Sequence, residues 1–484
     1  MKRRVFAVAA VIGTMVLAAC APTPPTVTPP PVVPPTGDSP TGLDPSFGSD
    51  GYKNASMSTT GADRILAVAA GASNSVFGAG FVSDAGDTSF AVAKYTSNGV
   101  LDASFGTGGV STVNVSPGTG TVEQARSITI QADGKIVIAG SVPTLAPGDD
   151  PRELDIAAVR LNADGSPDAG FGTGGIAIAD GGPGYVPLLA GTQGIAAYNT
   201  DSAWGSGVLS DGRVVIWGSA VKPGATIQPD TDFVILGLTA AGQLDTSFGT
   251  NGFTRVDFGG SFDNPRNLIV QPDDKIVTVG YETRVASLIP LTTQTNPVLA
   301  RFNPDGSLDP TFGSGGVATT SVLGFVGEAY QVGVQSDGSY AVAGYGRPGA
   351  TGLVDMILFR FNADGTFDST FAGGAGITRI DLAGEADRAR NVIVLPDDRI
   401  LAVGAGSPAA GASDALVVLA SPDGFLETSF NLQGYVNRDL GGPADALFGA
   451  ALASDNETVW VGGFRGEASG GNDEAYLGRI NLDF

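Results

Sequence analysis

Apolar and polar residues alternate in short runs along most of the chain, and a turn signal separates successive runs. The segment ITIQADGKIVIAG (Ile128–Gly140) has two alternating runs on either side of Asp133-Gly134. Asp and Gly tolerate the backbone angles of a tight hairpin turn, so this pattern predicts a β-hairpin. The pattern recurs at Gly207–Gly218, Leu268–Gly280, Val332–Gly344, Val392–Gly404, Ala451–Gly463 and, without the Asp-Gly pair, at Ala67–Gly80.

A second motif, LDxSFG or a close variant, lies between the predicted hairpins. Its phenylalanine recurs at spacings of 58 to 77 residues, which is typical of a repeat architecture. We call these residues the anchor phenylalanines: Phe47, Phe105, Phe171, Phe248, Phe312, Phe371 and Phe430.

Two further apolar runs flank each anchor. One precedes it, as in Asp155–Gly165, and the other follows it, as in Gly108–Val115. Every repeat therefore offers four short strands, and no segment shows the sustained 3.6-residue periodicity of a helix. Seven repeats of four strands predict an all-β fold, a seven-bladed β-propeller with four antiparallel strands in each blade.

The two ends of the repeat region complement each other. The first repeat begins at its anchor motif, and the chain ends with AYLGRINLDF (Ala475–Phe484), which matches the run that precedes an anchor elsewhere. We therefore expect the N- and C-terminal segments to pair in one blade and to close the ring, which would leave no exposed sheet edge.

The repeats resemble the delta-60 repeat family of bacterial envelope propellers. The best matches to its signature are QADGKIVIAG, LARFNPDGSLDPTFGSGG and LFRFNADGTFDSTF, and the resemblance extends over all seven repeats. It departs at Ala67–Gly80, which lacks the Asp-Gly turn, and after Phe430, where the motif's glycine is replaced by Asn431. The resemblance implies a propeller in a cell-envelope or secreted setting, and it implies no catalytic residues.

Composition excludes several kinds of site. The chain has no histidine and one cysteine, which rules out Ser-His-Asp triads, His-ligated zinc, Cys-based metal clusters and intrachain disulfides. Its formal net charge of −23 argues against nucleic acid as a partner, because binding to phosphate backbones depends on Lys and Arg.

The first residues predict an address. Three basic residues, a short apolar stretch and the ending Leu17-Ala18-Ala19-Cys20 are typical of a secretory signal, and the ending resembles a bacterial lipobox. We expect a signal peptide over residues 1–19, lipidation at Cys20, a proline-rich linker up to residue 41, and the propeller over 42–484. Without residues 1–19, 23 Lys and Arg face 49 Asp and Glu, which gives −26. Residue 21 is Ala and not the Asp that commonly retains lipoproteins in the inner membrane, so we expect the outer membrane or cell surface.

One acidic residue precedes each hairpin turn by nine or ten positions. Seven-fold recurrence would place these acids in a ring at one end of the blades, where they could hold a cation such as Ca²⁺ near the axis. The alternative is that each carboxylate pairs locally and caps turns within its own blade. The seven candidates are Asp63, Glu123, Asp201, Asp263, Glu328, Asp387 and Asp445, and three of them are followed three positions later by Arg126, Arg266 or Arg390.

The connections differ strongly between the two ends of the blades. Asp-Gly turns and anchors are uniform, whereas the opposite loops vary, as at Ser141–Leu154, Tyr281–Pro297 and Phe464–Glu474. The longest loop, Asp180–Ala203, carries the apolar and aromatic residues that we expect to contact a partner: Tyr185, Leu188, Leu189 and Tyr198.

The sequence favours a lipid-anchored envelope propeller that serves as a non-enzymatic binding or assembly scaffold for an envelope protein or glycan. A carboxylate-dependent hydrolase or lactonase on a propeller is one alternative, and a purely structural surface protein is another. No cofactor is expected, and Ca²⁺ at the acidic residues is the alternative.

Overall fold

The computed structural model describes residues 42–482 with the exception of 60, 85, 118–121, 144–153, 181–200, 223–230, 259–261, 289–290, 383–385, 410 and 467–472. The described chain is almost entirely β-strand. Its helical content is one 3-10 turn, Ala72–Asn74, and one short α-helical turn, α1 (Phe371–Gly374). Within the described residues, no helix is both long and apolar enough to cross a membrane.

The described strands form antiparallel groups of four, which we number sheets 1 to 7 in chain order. Sheets 1 to 3 contain β2 (Asp63–Ala70), β3 (Val76–Asp84), β4 (Asp87–Tyr95) and β5 (Val110–Val113); β6 (Gln124–Ile130), β7 (Ile136–Pro143), β8 (Leu154–Leu161) and β9 (Ile176–Ala179); β10 (Ser202–Val208), β11 (Val214–Val221), β12 (Thr231–Leu238) and β13 (Phe253–Val256).

Sheets 4 to 7 follow the same plan. They contain β14 (Phe262–Val270), β15 (Ile276–Leu288), β16 (Leu291–Phe302) and β17 (Val317–Thr319); β18 (Val326–Val334), β19 (Tyr340–Arg347), β20 (Asp355–Phe361) and β21 (Ile377–Ile380); β22 (Arg388–Val394), β23 (Ile400–Gly406), β24 (Asp414–Ala420) and β25 (Tyr435–Arg438); β26 (Ala446–Leu452), β27 (Thr458–Arg465), β28 (Glu474–Asn481) and β1 (Tyr52–Asn54). The predicted hairpins are confirmed in every sheet as the first and second strands. A single parallel pair, Thr295 with Val326, joins sheets 4 and 5.

Sheet 7 combines both ends of the described chain. Its outer strand β1 pairs antiparallel with β28, with Tyr52 opposite Gly478. Consecutive sheets pack through apolar clusters, and one of these contains Trp460 and Leu477 of sheet 7 together with Ile65 of sheet 1. The first strand of each sheet contacts the first strand of the next, and β26 of sheet 7 contacts β2 of sheet 1.

The anchor motif fastens each sheet to the next. All seven anchor phenylalanines are buried. Phe312 lies under the turn of the following sheet at Gly365, whose φ is +84° and where a Cβ would lie 2.9 Å from the ring. The backbone N–H of Gly313 donates to the carbonyl of Asp364 in that turn at 2.7 Å. The glycine of the Asp-Gly pair is required because a side chain there would collide with the neighbouring anchor.

The motif's charged residues form local pairs. Arg301 in β16 and Asp309 in the anchor motif form an ion pair at 2.7 Å, and Asp305 accepts a hydrogen bond from the N–H of Ser307 at 2.9 Å. The contact of Asp305 is typical of an aspartate that caps a turn.

Antiparallel order places the connections at two ends. The sheet-to-sheet links and the connections between second and third strands leave at one end, which we call the loop face. The hairpin turns and anchors leave at the other end, which we call the turn face. The prediction of a loop at Tyr281–Pro297 is wrong. Strands β15 and β16 continue there as an antiparallel ribbon, from the pair of Tyr281 with Pro297 to the pair of Leu288 with Leu291. The β-branched residues Thr283, Thr293 and Thr295 favour such an extended pair.

Candidate functional site

The seven candidate acids lie on the loop face, at or beside the start of the first strand of each sheet. All seven are buried, with exposed fractions between 0% and 8%. Their carboxylates are therefore enclosed by the protein and do not face open solvent.

Most of these carboxylates hold the link that enters their own sheet. Asp63 accepts hydrogen bonds from the N–H groups of Ser58 and Ala475, both at 2.7 Å. Asp387 accepts them from Leu382 at 2.8 Å and from Ser407 at 2.9 Å. Each carboxylate thereby satisfies backbone groups that burial would otherwise leave unpaired.

The same capping occurs at three other candidate acids. Glu123 accepts from the N–H of Val115 at 3.0 Å, Asp445 from that of Leu440 at 2.7 Å, and Asp263 from that of Phe258 at 3.2 Å. The geometry therefore accords with the local-capping alternative for these residues.

Glu328 does not belong to the same position. In every sheet, one residue of the first strand pairs with a glycine of the second strand, and in this sheet the pair is Ala329 with Gly344. The other six acids stand two residues before that paired residue. Glu328 stands only one residue before it. A shift of one residue turns a strand side chain to the opposite face. Glu328 accordingly faces Arg266 of the preceding sheet, with 3.8 Å between its Oε2 and a guanidinium nitrogen.

The structure brings three carboxylates together at four sheet junctions. In each case an aspartate of the third strand and one after the fourth strand meet the first-strand acid of the next sheet, with one oxygen from each within 4.8 Å of the others. The four groups are Asp155, Asp180 and Asp201; Asp232, Asp257 and Asp263; Asp355, Asp381 and Asp387; and Asp414, Asp439 and Asp445. The seven candidates do not form one such group, and cation binding by any of these acids stays a prediction.

These clusters carry an electrostatic cost. Burial, together with the carboxylates of Asp257 and Asp232, raises the pKa of Asp263 to about 7. Burial raises the pKa values of Asp387 and Asp445 to about 6, and acidic neighbours add to both effects. Protonation in the neutral range would relieve this repulsion.

A different kind of site lies three positions after the acid in six sheets and two positions after Glu328 in the fifth sheet. In every sheet the pairing of the first and second strands shifts by one residue, which leaves one residue of the first strand outside the register. Such a bulge re-aims a side chain. The bulge residues are Leu66, Arg126, Trp204, Arg266, Tyr330, Arg390 and Phe448.

Six of these side chains meet where the first strands face one another, and we call them the arginine–aromatic cluster: Arg126, Trp204, Arg266, Tyr330, Arg390 and Phe448. Guanidiniums and rings alternate around it. The Cζ of Arg126 lies 4.3 Å from the centre of the Trp204 ring, and that of Arg266 lies 4.5 Å from Trp204 and 5.0 Å from Tyr330. Arg390 lies 4.8 Å from Tyr330 and 5.3 Å from Phe448. All six side chains are partly exposed.

Few polar partners satisfy these guanidiniums. Among the described residues, Arg126 donates to the amide oxygen of Gln124 at 3.1 Å, and Arg266 donates to the Tyr281 hydroxyl and to the backbone carbonyl of Pro265, both at 3.1 Å. Within the described chain, the Nε atoms of Arg266 and Arg390 are buried and have no hydrogen-bond acceptor. In the part of the chain that the structure describes, Glu328 is the carboxylate that approaches this cluster, at 3.8 Å from Arg266.

Burial and neighbouring charges shift the pKa values of the charged residues in and beside this cluster. Burial, with the positive charges of Arg266 and Arg390, lowers the pKa of Arg126. Burial also opposes the charge of Arg266, but the neighbouring tyrosines and Glu328 outweigh it and raise the pKa of Arg266. Burial raises the pKa of Glu328, although its arginine neighbours favour the charged form.

Sequence reasoning noticed these arginines only as companions of the acids. The signal was their constant offset of three residues from a repeated acid, together with Trp204 and Phe448 at the same offset in other repeats. What it lacked was the bulge, which turns this position toward the first strands of the neighbouring sheets. Cys20, Tyr185, Leu188, Leu189 and Tyr198 lie outside the described residues.

Five segments match the family model described as "Domain of unknown function (DUF5122) beta-propeller": residues 69–105, 153–171, 271–312, 335–371 and 395–430. These segments are β-propeller repeats. They cover less than half of the chain, and they include hairpins and anchors of several sheets. No curated protein matches the sequence.

Solved structures show only a distant likeness. A protein of unknown function from Dyadobacter fermentans DSM 18053 is 11% identical, with coverage of 73% of this chain and 93% of its own and a TM-score of 0.38. A streptogramin B lyase is 10% identical, with coverage of 89% and 97% and a TM-score of 0.40. The polysaccharide lyase Uly1 is 11% identical, with coverage of 92% and 96% and a TM-score of 0.43. Likeness at this level says nothing about the activity of this chain.

Proposed function

We propose that this protein is a lipid-anchored, seven-bladed envelope propeller that binds a ligand at the centre of its loop face and catalyses no reaction. The seven sets of four strands support the blade number. The β1–β28 pair and the contact between β26 and β2 support a closed ring. In a closed ring, the arginine–aromatic cluster surrounds the central axis.

The arginine–aromatic cluster carries this proposal. The repeats give every sheet a similar hairpin and a buried anchor, but they place unlike residues at the bulge position. A rigid scaffold that presents individual side chains at one location is a common arrangement for binding. Arg, Trp and Tyr are also the residue types that most often dominate binding energy.

A specific observation bears on the enzyme alternative. A carboxyl with a pKa of about 7, as for Asp263, suits general acid–base chemistry. Asp263, however, is only 2% exposed and accepts a backbone hydrogen bond from Phe258, so a substrate cannot reach it without rearrangement of the link it caps. This geometry favours binding over hydrolysis.

Anchorage and location are part of the proposal. Lipid on Cys20 would hold the chain at the envelope, since each buried CH₂ contributes about 0.8 kcal/mol. The proline-rich linker, residues 21–41, would act as a semi-rigid spacer between the lipid and the propeller. We place the protein at the outer membrane or cell surface, with an envelope protein or glycan as its partner.

A sedimentation assay tests the binding function. The mature chain with Cys20→Ser, which prevents lipidation, is mixed with envelopes from cells that lack the protein. We expect saturable binding that weakens when residues 181–200 are replaced by a short link. Asp133→Ser on the turn face is the matched control and should bind as the parent does. Absence of saturable binding would contradict the function, and loss only in the turn-face variant would contradict the chosen face.

A further inference from the structure

The arginine–aromatic cluster also indicates the chemistry of the ligand. We propose that the guanidiniums of Arg126, Arg266 and Arg390 bind a small organic carboxylate that enters between the aromatic rings. This inference rests on the proposed binding function and deepens it by naming the ligand class.

Unused hydrogen-bond donors are the first support. A guanidinium carries five N–H donors in a fixed fork that matches a carboxylate in a bidentate manner. Among the described residues, no acceptor meets the buried Nε of Arg266 or of Arg390. Arg390 has ring contacts to Tyr330 and Phe448 but no described carboxylate at salt-bridge distance. A buried donor without an acceptor is costly, and a bound carboxylate would remove that cost.

The balance of charge is the second support. Three guanidiniums converge, and Glu328 approaches one of them at 3.8 Å, beyond hydrogen-bond distance. The cluster therefore keeps a positive surplus inside a chain whose net charge is −23. Low-dielectric walls strengthen such a local field, which would draw a small anion to the centre and disfavour cations. Burial lowers the pKa of Arg126, and the positive charges of Arg266 and Arg390 add to this effect.

The aromatic rings define the rest of the ligand. Trp204 is fixed by a hydrogen bond from its Nε1 to the Ser202 hydroxyl at 3.0 Å, and its ring lies between two guanidiniums. Rings held in this way keep the guanidiniums pre-organised, which lowers the ordering cost of binding. They also offer apolar surface to a carbon skeleton, which inorganic phosphate lacks. An organic carboxylate satisfies both features.

Trp204 provides a direct readout. The chain has three tryptophans, and Trp217 and Trp460 are fully buried in the core, so a ligand at the cluster should change the emission of Trp204. The mature Cys20→Ser chain is titrated with glucuronate, with glucose as the neutral control and with inorganic phosphate as the anion without a carbon skeleton. We expect a saturable change with glucuronate at a Kd of about 1 mM or below, a weaker response to phosphate and none to glucose.

Variants connect the signal to the guanidiniums. Arg390→Gln should weaken glucuronate binding about tenfold, as for loss of one charge-assisted contact, and Arg390→Lys should recover part of it. Arg438→Gln is the matched control because that residue pairs with exposed Asp50 on the surface. Thermal melts of each variant confirm folding.

Three outcomes would overturn the inference. These are no saturable response of the parent chain to glucuronate, tighter binding of phosphate than of glucuronate, and unchanged affinity in Arg390→Gln. Saturable envelope binding without a glucuronate response would refute the ligand class and leave the binding function standing. Glucuronate binding without any envelope binding would retain the ligand class and refute the envelope partner.

Discussion

Two side chains at or near the start of each first strand, three positions apart in most repeats, serve different purposes. The buried acid accepts backbone hydrogen bonds and organises the link between sheets, as Asp387 does for Leu382 and Ser407. The bulge residue is turned toward the first strands of neighbouring sheets, as Arg390 is toward Tyr330. The acids thus stabilise the fold, whereas the residue type at the bulge position differs between sheets.

The raised pKa of Asp263 predicts a pH dependence of stability. Its folded-state pKa is about 7, against an ordinary value of 3.8, so the folded state binds more protons than the unfolded state between these values. The contribution of this group is fully present below about pH 4 and is lost as the pH rises through 7, at up to about 1.4 kcal/mol per pH unit.

Asp263→Asn tests this prediction, because it removes the charge and keeps an acceptor for Phe258. Its free energy of unfolding in urea should exceed that of the parent by roughly 2 kcal/mol at pH 8, and the difference should vanish near pH 4. Exposed Asp133→Asn is the control. A destabilised Asp263→Asn at pH 8 would show that the charge itself is needed, as it would be if a cation were bound.

Cys20 carries the prediction of anchorage. Cys20→Ser should move the protein from the membrane fraction to the soluble fraction, because a single residue bears the lipid. Fractionation followed by detection of the protein measures this shift. A serine variant that sediments with membranes to the same extent as the parent would refute lipidation.

Among the structural elements, the turn that contains Gly365 is constrained by the anchor Phe312 beneath it. A Cβ at Gly365 would lie 2.7 Å from the amide nitrogen of Gly313, in addition to the unfavourable φ of +84°. Gly315 has φ of +65° but no atom within 4 Å of such a Cβ. Substitution at Gly315 would therefore measure backbone strain alone, and substitution at Gly365 would measure backbone strain together with steric collision.

Alanine substitution at these glycines should give different losses of stability. Gly315→Ala should cost about 1 kcal/mol, which is the conformational strain alone. Gly365→Ala should cost clearly more, because the turn must move off Phe312. Urea unfolding measures both, and equal losses would mean that the anchor does not constrain the turn.

Elements were the most predictable part of this protein. Alternation and Asp-Gly turns predicted the hairpins because both are local signals, and the anchor repeat predicted how strands group. The bulges were not predictable, because one unpaired residue such as Arg266 leaves the apolar alternation almost unchanged. Glu328 was assigned to the wrong position for the same reason: its shift of one residue matters only once pairing is known. The Tyr281–Pro297 ribbon was missed because no turn signal separates it from a loop.

For the whole molecule, the central question is how the first and last repeats meet. Sheet 7 takes three strands from the C-terminal end and β1 from the N-terminal end, so its integrity depends on both. The cluster that contains Trp460 and Ile65 extends this dependence to sheet 1.

Deletion of Ala475–Phe484 should therefore destabilise the entire propeller. The deletion removes the strand between β27 and β1 and exposes two sheet edges. We expect the melting transition to fall sharply or to lose cooperativity. Deletion of residues 21–40 is the control and should leave the transition unchanged. A cooperative melt at the parent temperature after removal of Ala475–Phe484 would contradict closure.

The most direct test of an anion-binding site is to compare how strongly iodide and caesium quench the emission of Trp204. The comparison reports the sign of the electrostatic field at this residue. Trp204→Phe identifies the contribution of this residue. If the centre of the loop face is an anion-binding site, iodide will quench Trp204 more strongly than caesium despite the net charge of −23, and Arg390→Gln will reduce the difference. Stronger quenching by caesium, or no quenching of Trp204 by either ion, would contradict an anion-binding site beside Trp204.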